Sequence, residues 1–171
     1  GPRGSAVALK RCNSRFKDLA TPLVANAVER TGEKWRNAAA KIGGGGAAKI
    51  TGGLERNEVL TSLDVRDNEI GSTGAAAIAE ALRGNAVLTD LNLNSNQIRD
   101  EGAAAIAEAL RGNAVLKSLN LQVNNIGDEG AAAFGEALAI NAVLKELNLR
   151  FNNIGPTGAI ALADALRVNG V

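Results

Sequence analysis

The sequence predicts an α/β solenoid, with short parallel strands forming an inner sheet and helices ringing its outside. Three observations carry this reading. Four units of 28 residues, beginning at Leu60, Leu88, Leu116 and Leu144, align without gaps, and the second and third agree at 18 of 28 positions. Within each unit, apolar residues two apart give way to apolar residues four apart, a switch from strand to helix periodicity. A unit this short cannot bury its apolar face alone, so a fixed period of this length implies stacking.

The second unit shows how each element is built. In "LTDLNLNSN", Leu91 and Leu93 point to one side of a strand, while Asn92 and Asn94 point to the other. The register places strands near 35–37, 63–65, 91–93, 119–121 and 147–149. After the turn, Ile106 and Leu110 sit four apart on one helical stripe with Ala between them. Asn68, Asn96, Asn124 and Asn152 hold one slot after each strand. A stacked ladder of amides there can satisfy the backbone groups of the turns. Gly74, Gly102, Gly130 and Gly158 open the helices, where helix and strand backbones are expected to pass closely. Ser72, Asp100 and Asp128 lie just before them and suit helix capping. Pro156 takes that slot in the last unit, where its fixed φ suits a first turn. Glu80 with Arg83, Glu108 with Arg111, and Asp164 with Arg167 read as solvated helix pairs.

The pattern L-x-x-L-x-L-x-x-N-x-I, then G-A-x-A, then A-L, resembles the leucine-rich repeats of the ribonuclease-inhibitor type. The resemblance spans residues 60–171. It implies a right-handed horseshoe and a role in recognising proteins. Arrays of this type include GTPase-activating proteins and the ligand-sensing part of intracellular immune receptors, which makes a regulatory module the alternative to a plain scaffold.

Upstream, residues 32–59 read as a degenerate fifth copy, with Trp35, Ile42 and Gly46 on framework slots. Terminal solenoid units are often worn because one face meets water. Residues 6–31 read as a helical N-terminal cap bent at Pro22, so that 6–171 form one continuous domain. "GPRGS" at 1–5 has the look of a vector scar. "GGGGAAKIT" is a loose turn rather than a phosphate-binding loop, because Ala48 precedes Lys49 and Ile50 separates it from Thr51.

Composition narrows the function. There is no histidine, Cys12 is the lone cysteine, and no metal-ligand cluster is apparent. Catalysis through a positioned base, nucleophile or metal therefore has little to work with, and neither enzyme activity nor a cofactor is expected. A single cysteine fits a reducing, cytoplasmic setting. Aromatics are 2% and no dense basic stripe exists, which argues against nucleic acid. No apolar run is long enough for a membrane span. Residues 1–59 carry a net +6 and residues 60–171 a net −5, an asymmetry able to steer a protein partner.

Packing makes framework slots repeat, so the slots that vary are the candidates for binding. Along the inner wall these are Arg66, Asp67, Asp90, Asn94, Gln122, Val123, Glu146, Arg150 and Phe151. Val123 and Phe151 take a slot filled earlier by Asp67 and Ser95, and have the makeup of an interface hot spot. The competing reading folds Phe151 down over the end of the core. The last unit ends at Val171 without a polar cap. The expectation is either a piece of a longer array or an exposed end that meets another protein surface, as in a homodimer joined through the C-terminal ends at Leu162 and Leu166.

Overall fold

The computed structural model describes Leu54, Glu58 and residues 60–169. The expected helical cap at 6–31, the scar at 1–5 and the strand at 35–37 lie outside the described residues. So does almost all of the degenerate copy. Within them, strand and helix alternate as the period requires. The order is β1 (Ser62–Asp64), α1 (Gly71–Gly84), β2 (Asp90–Asn92), α2 (Arg99–Gly112), β3 (Ser118–Asn120), α3 (Asp128–Leu138), β4 (Glu146–Asn148) and α4 (Pro156–Val168). Each strand starts one residue earlier than its sequence-predicted position.

The strands form one parallel sheet in chain order, and the register matches the period: Leu63 faces Leu91, Leu91 faces Leu119, and Leu119 faces Leu147. Consecutive helices pack side by side behind it. Between the layers lie Val65, Leu93 and Leu121 from just past the strands, with Ile78, Leu82, Ile106 and Leu110 from the helices, all buried. Phe134 takes the slot of Ile78 and Ile106 and is fully buried. Its neighbour Gly135 replaces Ala79 and Ala107, and a Cβ there would lie 2.8 Å from the carbonyl oxygen of Ala161. The larger ring and the missing methyl occur together, and α4 approaches α3 closely.

The predicted asparagine ladder is present. Oδ1 of Asn124 accepts the backbone N–H of Asn96 at 2.9 Å and of Ile98 at 3.3 Å, while its Nδ2 donates to the carbonyls of Leu93 and Gln122. Asn96 and Asn152 do the same one repeat away. A second ladder, not singled out in the sequence, runs along the opposite side at Asn85, Asn113 and Asn141. Nδ2 of Asn113 donates to the carbonyl of Leu82, and its Oδ1 accepts the N–H groups of Val115 and Leu116.

Two expectations need correction. Asp100 and Asp128 lie inside the first turns of α2 and α3 and do not cap their own helices. Oδ1 of Asp100 instead accepts the N–H of Gly127 at 2.7 Å and of Gly130 at 2.9 Å, at the start of the next repeat's helix. Asp128 reaches Gly155 and Gly158 in the same way. Each carboxylate thus sits where the unsatisfied N–H groups and the positive end of the following helix favour it. Ser72, in α1, makes no capping bond to its helix. Nor do the framework glycines mark a helix–strand approach. A Cβ at Gly102 would sit 2.8 Å from the Cβ of Ala75, and one at Gly158 would sit 2.9 Å from the Cβ of Ala131, so the close passage is helix against helix.

Candidate functional site

Parallel strands buried on one face leave the other free for recognition. Here the outward side chains of each strand fall in rows set by the 28-residue register. Asn92, Asn120 and Asn148 form one row. Each spends its Oδ1 on the backbone N–H two residues later, at Asn94, Gln122 and Arg150 respectively. Asp64 holds this slot in β1, accepts the backbone N–H of Arg66 in the same way at 3.3 Å, and adds a side-chain clamp. Its carboxylate binds the Nε of Arg66 at 3.0 and 3.1 Å and also pairs with Nη2. That clamp covers Asp64, which is only 7% exposed. The hydrogen bonds that Arg66 donates to Asp64, and then the Asp64 charge, hold the Arg66 guanidinium above its ordinary pKa; desolvation acts the other way.

The next row makes the strand-to-turn exits. Nδ2 of Asn94 donates to the carbonyl of Gln122 at 2.9 Å, and Oε1 of Gln122 accepts Nδ2 of Asn148 at 3.3 Å. Arg150 has no carboxylate beside it among the described residues. Its guanidinium lies over the Phe151 ring, 5.2 Å from the centroid. Of the two arginines predicted for the site, one is committed to its own strand and the other is presented to solvent.

Asp67, Ser95, Val123 and Phe151 occupy the turn slot that follows, and all four have positive φ, between 54° and 57°. The turn demands this left-handed conformation whatever the residue. Asp and Ser accommodate it through local hydrogen bonding, but a β-branched or bulky side chain there is strained. Val123 is 43% exposed and Phe151 68% exposed. Phe151 therefore does not fold over the end of the core, which corrects that expectation. Val123 is tied to the next repeat just before Phe151, since its N–H donates to the carbonyl of Arg150.

The remaining predicted residues frame this pair unevenly. Glu146, the first residue of β4, accepts the hydroxyl of Ser118 at 3.3 Å, and Asp90 accepts the hydroxyl of its neighbour Thr89 at 2.7 Å. Asp90, Arg66 and Asp67 belong to the first two repeats, while Val123, Glu146, Arg150 and Phe151 belong to the last two. The predicted set is therefore a strip along the sheet rather than one pocket. On the outer helices, Glu80–Arg83, Glu108–Arg111 and Asp164–Arg167 pair as expected at 3.1 to 3.5 Å, all well exposed. Among the described residues no cluster of metal-ligating side chains occurs, and no helix is long and apolar enough to cross a membrane.

Repeated strand, amide turn and helix, each locked to the next by the same side chains, define a leucine-rich repeat array. Residues 56–79, 84–107, 112–135 and 141–163, more than half the chain, match the family described as "Leucine Rich repeat". The chain belongs to the leucine-rich repeat family. Among solved structures it is similar to "Leiomodin-1 Actin-Binding Site 2 (ABS2)", at 22% identity and a TM-score of 0.66, with 88% of this chain and 91% of that one covered. It is also similar to the tropomodulin C-terminal domain of Caenorhabditis elegans, at 14% identity and a TM-score of 0.64, with 94% and 92% covered. At these identities the likeness concerns the fold. Comparison with curated proteins returned no match.

Proposed function

We propose that this chain is a protein-interaction module whose partner docks on the open, concave face of the sheet, centred on Val123, Arg150 and Phe151. Arg66, Asp67, Asp90, Asn94, Gln122 and Glu146 form the surrounding strip. One observation carries the reading. Val123 and Phe151 hold a left-handed turn slot that local energetics would give to Asp, Asn or Gly, and both are nonetheless exposed large apolar side chains. A strained, exposed apolar pair beside an arginine stacked on an aromatic ring has the composition of a binding hot spot.

Leucine-rich repeat domains are typically binding modules, and nothing in the described residues supplies a catalytic group, so we read the chain as a non-enzyme needing no cofactor. The 28-residue period supports the ribonuclease-inhibitor-like type, and the lone Cys12 supports a cytoplasmic setting. Proteins captured from extract by the wild type would be compared with those captured by Phe151→Ser and by the outer-helix control Glu108→Ala. The reading requires a protein retained by the first and third but lost from the second. Retention that depends on the helical side instead would overturn it. Because the similar segment of leiomodin-1 is an actin-binding site, actin belongs among the purified proteins tried.

A second reading is self-association. Ile160 and Leu166 on α4 are 61% and 60% exposed, and Leu162 is half-buried. Two copies meeting there would cover all three, and light scattering at rising concentration would detect the dimer.

A further inference from the structure

The open face of repeats two to four carries four side chains with donors that no acceptor takes up among the described residues. Asn92 and Asn120 each use Oδ1 on a backbone N–H, and neither Nδ2 has an acceptor among the described residues. Gln122 spends its Oε1 on Asn148, which leaves its Nε2 without one. The Arg150 guanidinium makes no hydrogen bond or ion pair there and lies only against Phe151. These groups reach solvent, because every fully buried side-chain polar atom among the described residues is bonded. The apolar surface of Val123 and Phe151 flanks them.

Resting on the reading above, we propose that this face binds an extended acidic peptide segment of a partner protein. A carboxylate of the segment pairs with Arg150, its backbone carbonyls accept from the amides of Asn92, Asn120 and Gln122, and an apolar side chain lies against Val123 and Phe151. Complementarity selects this occupant. The amide donors of Asn92, Asn120 and Gln122 call for backbone carbonyls, and the Arg150 guanidinium pairs well with a single carboxylate, which lies away from Asp90 in another repeat. A nucleic acid or lipid surface fits less well. Asp67, Asp90 and Glu146 stand on the same face and would repel a polyanion, whereas one carboxylate beside an apolar residue is accommodated.

A random peptide library displayed on phage, selected on the immobilised wild-type chain, tests this. Selected sequences would be remade as synthetic peptides and measured by fluorescence anisotropy. The expected result is enrichment of Asp or Glu within a few residues of an aliphatic or aromatic side chain. Arg150→Gln and Phe151→Ser should each weaken binding by about tenfold or more, with Arg150→Lys in between and no lowering of the thermal melt. Raising salt should weaken the wild type more than Arg150→Gln. Enrichment of basic peptides, no enrichment at all, or affinities indifferent to both variants would overturn the proposal. So would Arg150-dependent binding of single-stranded DNA tighter than that of any selected peptide. A protein captured through Phe151 alongside any of these results would leave the interaction module standing and remove only the acidic segment.

Discussion

Val123 shows how a single residue separates stability from recognition. Its left-handed φ of 56° is imposed by the turn, so replacing it with Asn, which tolerates that region, should relieve strain. Val123→Asn is expected to raise unfolding stability by about 0.5–1 kcal/mol in a urea titration while weakening partner binding. An unchanged or lower midpoint would show that the turn imposes no such strain. The buried leucines answer differently. Leu93→Ala and Leu121→Ala, each flanked by repeats on both sides, should cost about 2–5 kcal/mol through lost burial and a cavity. Glu108→Ala on the outer helix should cost under about 0.5 kcal/mol. Equal losses would mean the inside and outside faces have been exchanged. At this scale the inward leucines were legible because strand alternation assigns a face directly. The fate of the arginines was harder to read, yet a signal existed: Asp64 lies two residues before Arg66 on the same face, where Arg150 has the neutral Asn148. Alternation says nothing about the sign of φ, so the strain at Val123 and Phe151 stayed hidden, although Asp67 and Ser95 in the same slot hint at a tight turn.

Between elements, the join is made by small residues and by carboxylates reaching forward. A Cβ at Gly130 would lie 2.7 Å from both Oδ1 of Asp100 and Cγ2 of Ile126. Gly130→Ala must therefore separate α3 from α2 or displace the carboxylate, at a cost of about 1–3 kcal/mol. Gly112, at the end of α2, has nothing within 4 Å of its Cβ position, and Ala there should be neutral or stabilising by up to about 1 kcal/mol. Thermal melts of the two variants moving in the same direction would contradict this account. Asp100→Ala removes the acceptor for two N–H groups of the next repeat and should cost about 0.5–2 kcal/mol. The sequence placed Asp100 near a helix start correctly but named the wrong helix. Local spacing cannot reveal a partner 27 or 30 residues away, and only the stacked register brings them together. The Asn85, Asn113 and Asn141 ladder escaped notice for the same reason, since an Asn in a return loop reads locally as a turn former.

For the whole molecule, the side-chain hydrogen bonds between repeats among the described residues all span nearly one period. The asparagine and aspartate bonds join residues 26, 27, 28, 30 or 31 apart. Removing residues 88–115 in frame should therefore remake every junction with its equivalent partner. The shortened chain is expected to keep its far-UV circular dichroism signature and to unfold cooperatively at a lower urea midpoint, with a smaller m-value. A 14-residue deletion from the same point puts helix slots against strand slots and should abolish folding. If both deletions fold, or neither does, the repeat is not the unit of stability. The period made this architecture legible from sequence alone. The partner was not, because the positions that would specify it are those on which packing places no demand.

The direction of the asparagine ladder has a consequence in time. Oδ1 of Asn96 completes the turn at Asn68, that of Asn124 completes the turn at Asn96, and that of Asn152 completes the turn at Asn124. The residue that finishes each turn always comes 28 positions later in the chain, so during synthesis it leaves the ribosome after the turn it will complete. Every loop to be closed has the same modest length, and the entropic cost of closure does not grow as the array lengthens. At any moment the newest turn alone awaits its amide, and the unfinished part of the protein stays one repeat in size.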